Sequence, residues 1–314
     1  MTIKQSTGVS AEFGYYPKPI EIENDRFSVK TLPNFQEILA AVKEDSNVYK
    51  NWIYPGAQQS IDFNGVTSTR PYNARVFGMH KTHMLTLHNS DNLEDIDFVV
   101  WCLSFFTGMR LSVTEAGFLD ATPIKDGTLV DFLLSECTIE DAIELGLDYL
   151  EAERSNFRAT KRVTAVIHSL FLAQYPQNLP FERFQYLYMG LDSCFKLIQS
   201  KDENKAHVTH ATRLEWMCKK FDIPTPKWAI MNENKSDISI VRNDTIHEAL
   251  FFDEPLGFSI YGGNQSKYNQ GNVILQMQHL ICRLLVAILG KPKAEYVRTN
   301  IDTRQNKGLN LRQK

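Results

Sequence analysis

From the start of the chain to about position 89, apolar residues fall in short and often alternating runs, at 20–22, 27–29, 60–63, 74–78 and 83–87, divided by Pro, Gly, Asn and Asp. Alternation sends successive side chains to opposite faces of a strand, so these runs predict short strands joined by turns. One helix is predicted among them, over about 34–43. The pattern then changes period. Asn92 opens a helix with acid in its first turn and Ile96, Val99, Val100, Leu103 and Phe106 on one stripe, and Gly108 is placed to end it. Thr138-Ile-Glu-Asp reads as a second cap, followed by Ala142, Ile143, Leu145, Leu147 and Leu150. Strand signals stop there. Helical patterns follow at 160–175, 180–199, 208–221, 237–252 and 272–289. The expected architecture is α+β, a strand-containing mixed domain over 1–155 and an all-α bundle over 156–314, cut at the charged run near 153–159.

Composition narrows the class. With 314 residues, 43% hydrophobic and 23% charged, the chain has the content of a globular protein large enough for two cores. A net charge of -3 excludes a surface coated in basic residues, so any nucleic-acid contact must be a local patch. Cys102, Cys137, Cys194, Cys218 and Cys282 form no C-x-x-C pair, as expected of thiols in a reducing cytoplasm. The first residues, M-T-I-K-Q-S-T-G-V-S, hold no apolar leader, and the most apolar run, 273–289, contains Gln276, Gln278, His279 and Arg283, which are costly in lipid. No membrane association is expected. After Gly290 the tail carries Lys291, Lys293, Arg298, Arg304, Lys307, Arg312 and Lys314 against Glu295 and Asp302, and reads as a solvated end or as a basic arm for phosphates.

The chemistry-bearing stretch is 237–252, D-I-S-I-V-R-N-D-T-I-H-E-A-L-F-F. Ile238, Val241, Ile246, Ala249, Leu250 and Phe252 recur at helical spacing behind Ser236 or Asp237 as N-cap. Asn243 and His247, four residues apart, lie nearly one above the other, while Arg242 stands roughly 140° around the helix from His247. The Arg-to-His spacing alone proves little, because Arg75 to His80 and Arg162 to His168 nearly repeat it. The first of these has a glycine inside and strand signals around it, and the second has Val163 after the Arg. Only Arg242 is followed by a polar Asn on a late helix of the bundle. His80-x-x-His83 with His88 lacks a Cys or carboxylate at ligand spacing, and no dinucleotide or Walker loop occurs, G-F-S-I-Y-G-G-N included; neither a metal nor a cofactor is expected.

That combination resembles the HEPN superfamily, whose helical bundle carries an R-x4-6-H motif, typically with a polar residue after the Arg, on a late helix. The resemblance spans roughly 180–290. The segment F-E-R-F-Q-Y-L-Y-M-G-L-D-S-C-F-K-L-I looks like the family's early helix, with Asp192 at its inner acidic position, and T-R-L-E-W-M-C-K-K-F-D-I, R-N-D-T-I-H and V-I-L-Q-M-Q-H-L-I-C-R-L-L follow. A mixed domain ahead of such a bundle also looks like the ApeA-like defence proteins, at a coarser level.

The resemblance implies a metal-independent endoribonuclease, a toxin or anti-phage effector. A 2′-hydroxyl would attack the adjacent phosphorus, with His247 moving protons, Arg242 holding phosphate oxygens, Asn243 orienting either, and Asp192 fixing Arg242. One helix supplies only one Arg and one His, so the family's composite site implies a homodimer around this helix. RNA is the expected ligand, and a cognate antitoxin or phage-derived trigger the expected partner of the N-terminal domain. The alternatives are a catalytically silent HEPN-like module that binds RNA, nucleotide or protein and dimerises, and a helical scaffold in which the motif is chance.

Overall fold

The computed structural model describes residues 8–70, 78–113, 121–202, 207–248, 273–301 and 307–312. The chain divides into two compact units, Met1–Leu129 and Val130–Lys314. The first mixes strands with helices and the second is mostly helical.

In the first unit, β1 (Val9–Phe13), β2 (Ile22–Glu23), β3 (Phe27–Thr31), α1 (Phe35–Glu44), β4 (Val48–Tyr49), β5 (Trp52–Ile53), β6 (Gln58–Ile61), β7 (Thr67–Arg70), β8 (His83–Leu87), α2 (Leu93–Thr107) and β9 (Thr122–Pro123) follow in order. The main sheet is antiparallel, ordered β1-β8-β3-β2, with Leu85 facing Ala11 on one side and Val29 on the other. Phe13, Phe27, Val29, Leu85 and Leu87 are its buried residues. Helix α2 packs on β1 and β8. Asn92 caps it by accepting the Glu94 N–H at 3.0 Å, and Gly108, at φ 62°, supplies the left-handed turn that ends it. Its burial goes well beyond the expected stripe and covers almost every residue from Asp95 to Thr107. The strand expected at 74–78 lies outside the described residues up to position 77. β1 went unread because its alternation, V-S-A-E-F, carries only one large apolar residue.

In the second unit β10 (Phe132–Leu133) precedes α3 (Ile139–Ala152), α4 (Phe157–Leu172), α5 (Pro180–Ser200), α6 (Arg213–Lys220), a 3-10 turn at Lys227–Ala229, α7 (Asp237–His247), α8 (Val273–Ile288), α9 (Glu295–Arg298) and β11 (Lys307–Gly308). Thr138 and Asp141 form the capping box that opens α3, Asp141 accepting the Thr138 N–H at 2.6 Å. The charged run near 153–159 is the turn between α3 and α4. There Glu153 accepts from Asn156 Nδ2 at 3.1 Å and pairs with Lys201 at 2.5 Å, so residues 130–155 go with the helices.

Helix α5 is the centre of this unit, flanked by α4 and α8. Its Leu187, Leu191, Cys194 and Phe195 meet a core that also holds Val163, Val166 and Ile167 from α4 and Met277, Leu280 and Ile281 from α8, all buried. Burying each such side chain contributes about 1.5–3 kcal/mol. Gly190 lets α5 and α8 approach closely, since a Cβ there would stand 3.2 Å from Ile281 Cδ1. The described part of the basic tail is docked. Leu309 and Leu311 are buried, Lys307 pairs with Phe132 in a parallel bridge, and Arg312 Nε donates to both carboxylate oxygens of Asp141 at 3.0 and 2.9 Å. Arg304 and Lys314 lie outside the described residues.

A polar knot crosses this core. Arg283, fully buried, donates from Nη1 to Asp131 at 2.8 Å, and Asp131 also accepts from the Tyr296 hydroxyl. His279, read in sequence among apolar residues, is buried and bonded through Nδ1 to the Ile301 carbonyl at 3.1 Å.

Candidate phosphate-facing site on α5, α6 and α7

Helix α7 opens at Ser236, whose N–H donates to the Ser239 hydroxyl at 3.1 Å. Its buried face is Ile238, Val241 and Thr245, spaced i, i+3 and i+7. Thr245 is accommodated there because its hydroxyl donates back to the Val241 carbonyl at 2.7 Å. Choosing that stripe turns Ile246, expected on the apolar face, outward to 46% exposure. The continuation through Ala249, Leu250 and Phe252 lies outside the described residues, as does G-F-S-I-Y-G-G-N.

The last turns of α7 bring the three polar residues together. Arg242 Nη1 donates to Asn243 Oδ1 at 2.9 Å and to His247 Nε2 at 2.5 Å, and the two hydrogens on that nitrogen suffice for both. An arginine only donates, so Nε2 of His247 is the acceptor and the ring proton sits on Nδ1. Asn243 and His247 are exposed, while Arg242 is half-buried with its Nε sequestered and without a hydrogen-bond partner. Among the described residues Arg242 pairs with no carboxylate.

Asp192 does not hold Arg242. Its Oδ1 accepts from Arg213 Nη1, the first residue of α6, whose guanidinium also lies 4.6 Å from the centre of the Phe195 ring. Arg213 is 7% exposed, and its Nε has no hydrogen-bond partner. The reason is topological: α5 packs against both α6 and α7, and Arg213 reaches the carboxylate from the α6 side. The turn leading into α6 is itself helical, with the Arg213 N–H donating to the Thr209 carbonyl at 3.1 Å, which sets His210 one turn ahead of Arg213.

Electrostatics tie these groups into one cluster. The His210 pKa is lowered, first by burial and then by Arg213, Arg242 and Lys196, with Asp192 opposing. The Tyr188 hydroxyl is pushed up by burial and by Asp192, while Arg213 and Arg242 pull the other way. Tyr188, Asp192 and Lys196 follow at i, i+4 and i+8 on α5, which is one face of that helix. The sequence pattern points to Asp192 alone in this stretch, and Lys196, Arg213 and Tyr188 join it through the fold. The four-residue spacing was a signal that could have found Lys196. His207, three residues before His210, is exposed.

The remaining candidates do not form a site. His83 is buried in an aromatic shell, stacked 5.4 Å from Phe13 and edge-on to Phe35, with Nδ1 2.9 Å from the Thr82 hydroxyl. Arg75 lies outside the described residues. Among the described residues no group of three or more His, Cys, Asp or Glu could hold a metal ion, and no helix is long and apolar enough to cross a membrane. All five cysteines are free, and the four buried ones have thiols pushed up by burial, as inert core residues do.

Compared with known proteins, the chain matches no family model, no curated protein and no solved structure.

Proposed function

We propose that the helical unit is a HEPN-like module that binds RNA through its phosphates at Arg242, Asn243 and His247 and pairs with a second copy of the chain. The observation that carries this reading is the Arg242 guanidinium itself, half-buried, without a carboxylate among the described residues, and held at 2.9 and 2.5 Å by two neutral side chains. Asn243 and His247 fix its direction without neutralising it. A guanidinium so held keeps its full charge, and its Nη2 hydrogens are the donors left for a phosphate. Ile246, exposed beside His247, adds an apolar edge of the kind a two-fold contact covers. The first unit is assigned sensing or regulation, with an antitoxin or phage-derived trigger as its partner.

Binding is placed ahead of cleavage for a chemical reason. With Nε2 accepting from Arg242 and Nδ1 protonated, His247 has no lone pair left for a 2′-hydroxyl proton. The second reading, a metal-independent endoribonuclease serving as toxin or anti-phage effector, is favoured by the same three residues meeting on an exposed turn. It requires the Arg242 to His247 bond to open when phosphate draws the guanidinium away. The freed Nε2 would then accept the 2′-hydroxyl proton, the 2′-oxygen would bond to phosphorus, and the 5′-oxygen would leave with a proton, giving a cyclic phosphate.

One experiment separates the two. The full chain is mixed with total RNA in EDTA beside Arg242→Ala and His247→Ala, and both retention of RNA and its end groups are read. Retention without new ends, lost in Arg242→Ala, is the expected result. Cyclic phosphate ends produced by the wild type alone replace the first reading by the second. No retention and no cleavage overturn both.

A further inference from the structure

Among the described residues the charges around Asp192 do not balance. Arg213, Arg242 and Lys196 act on one small region that has a single carboxylate among the residues named in it, so a positive excess is left there. Arg213 is the most informative of the three. A guanidinium that is nine-tenths buried ordinarily has all its donors paired, because an unmet N–H away from water costs about 1–3 kcal/mol. Here one bond goes to Asp192, one face rests on Phe195, and Nε has no hydrogen-bond partner. His210 lies one turn before it, and Lys196 follows Asp192 by four residues on α5, so both flank the same ion pair. His210 and Lys196 are exposed, and of the pair they flank the Asp192 side chain is 37% exposed.

We propose that His210, Arg213 and Lys196 form a second phosphate-binding position beside Arg242, so that the site takes two phosphates of one RNA strand rather than a single phosphate group. The inference rests on the RNA-binding reading above and deepens it. Asp192 acts as a positioning residue, aiming the Arg213 fork from below. Arg242 and the second position stand on different helices, α7 for the first and the start of α6 with α5 for the second, and α5 is the common floor of both. A strand gripped twice gains affinity and direction that a mononucleotide cannot, since a mononucleotide meets only one of the two.

The test uses the full chain and a 5′-labelled single-stranded RNA of about a dozen nucleotides, with affinity measured by fluorescence anisotropy across salt concentrations. Each phosphate contact adds roughly 0.7 to the steepness of log K against log salt for a single strand. The double variant Lys196→Gln, His210→Ala changes only exposed side chains and leaves the Arg213 to Asp192 pair intact. It is expected to bind the strand at least five-fold more weakly with a slope shallower by roughly 0.7. Its affinity for AMP, read by competition against the same strand, should fall by less than two-fold if Arg242 takes the lone phosphate. A double variant equal to wild type in both affinity and slope overturns the second position. In that case loss of binding in Arg242→Ala leaves the RNA-binding reading standing. Absence of strand binding by the wild type overturns both.

Discussion

The second unit holds two kinds of arginine. Arg283 is fully buried and every one of its five donors has a protein partner: Nε on the Thr299 carbonyl, Nη1 on Asp131 and the His279 carbonyl, Nη2 on the Thr299 hydroxyl and the Asn300 carbonyl. Arg213 and Arg242 have few bonds each and an Nε without a partner. The first pattern is that of a strut. Its charge is balanced by Asp131 and its other hydrogen bonds close on α8 and the segment after α9, so nothing remains to offer a ligand. The second pattern leaves charge and donor capacity directed at one small region. What separates Arg213 and Arg242 from Arg283 is how much of their donor capacity the fold has already used, more than depth alone, since Arg213 is nearly as buried as Arg283.

Breaking the strut should have the largest effect. Asp131→Ala strands the Arg283 charge and leaves the Tyr296 hydroxyl without its acceptor, and is expected to destabilise the helical unit by about 3–5 kcal/mol, read as a lower urea midpoint by circular dichroism. Arg283→Met with Asp131→Leu should recover part of that loss, because no charge is then stranded. Equal midpoints for the single and the double variant would show that the cost comes from lost packing instead.

His83 sharpens the comparison from the first unit, since its burial has no compensating charge within the aromatic shell. Burial pulls its pKa down to about 4, and the Lys18 carbonyl and Glu21 offset this only in part. The unfolded imidazole takes up a proton near 6.5, so the unfolded state binds more protons between that value and 4. The contribution is therefore complete above pH 6.5 and is lost as pH falls towards 4, by about 3 kcal/mol. His83→Phe keeps the ring stacking and should flatten the fall in stability between pH 6.5 and 4.5. An undiminished slope in the variant would place the acid sensitivity elsewhere.

Arg242→Ala should do the reverse of Asp131→Ala. Its midpoint should stay within about 1 kcal/mol of wild type, because it is half-buried with bonds only to Asn243 and His247. RNA affinity should fall about ten- to a hundred-fold, the range of a charged hydrogen-bonded contact. A large loss of stability with unchanged affinity would move Arg242 into the class of Arg283.

Much of the helical unit was legible because its signals are local. Thr138 and Pro180 mark helix starts through chemistry within three residues, and the α5 and α8 stripes persist over several turns. The meeting of Arg242, Asn243 and His247 was legible for the same reason, as all three stand within two turns of one helix. What escaped depends on tertiary proximity. Nothing within six residues of Asp192 indicates that Arg213, twenty-one positions on, takes its carboxylate. The tail reads as solvated because its charges outnumber its apolar residues, yet Tyr296, Val297, Ile301, Leu309 and Leu311 are buried and Arg312 pairs with Asp141. The charged run after α3 looked like a domain edge, and helix turns carry the same composition because both are wet.

Asp192 gives the smallest and most discriminating effect. Asp192→Asn keeps an oxygen that can accept from Arg213 Nη1, so the fold of the α5 to α6 junction should survive. Removing the carboxylate charge frees Arg213 from its counter-ion and adds one unit to the positive excess beside Arg242. In a purely binding site the affinity for a single-stranded RNA should therefore rise, by about two- to five-fold at low salt, and the gain should shrink at high salt as the charges are screened. If Asp192 instead aligns Arg213 so tightly that its direction matters more than its charge, affinity falls, because the amide holds the guanidinium less firmly than a carboxylate does. Anisotropy at two salt concentrations decides between them: the sign of the change tells whether Asp192 acts mainly through its charge or by aligning Arg213, and no change at either salt would make Arg213 a strut like Arg283.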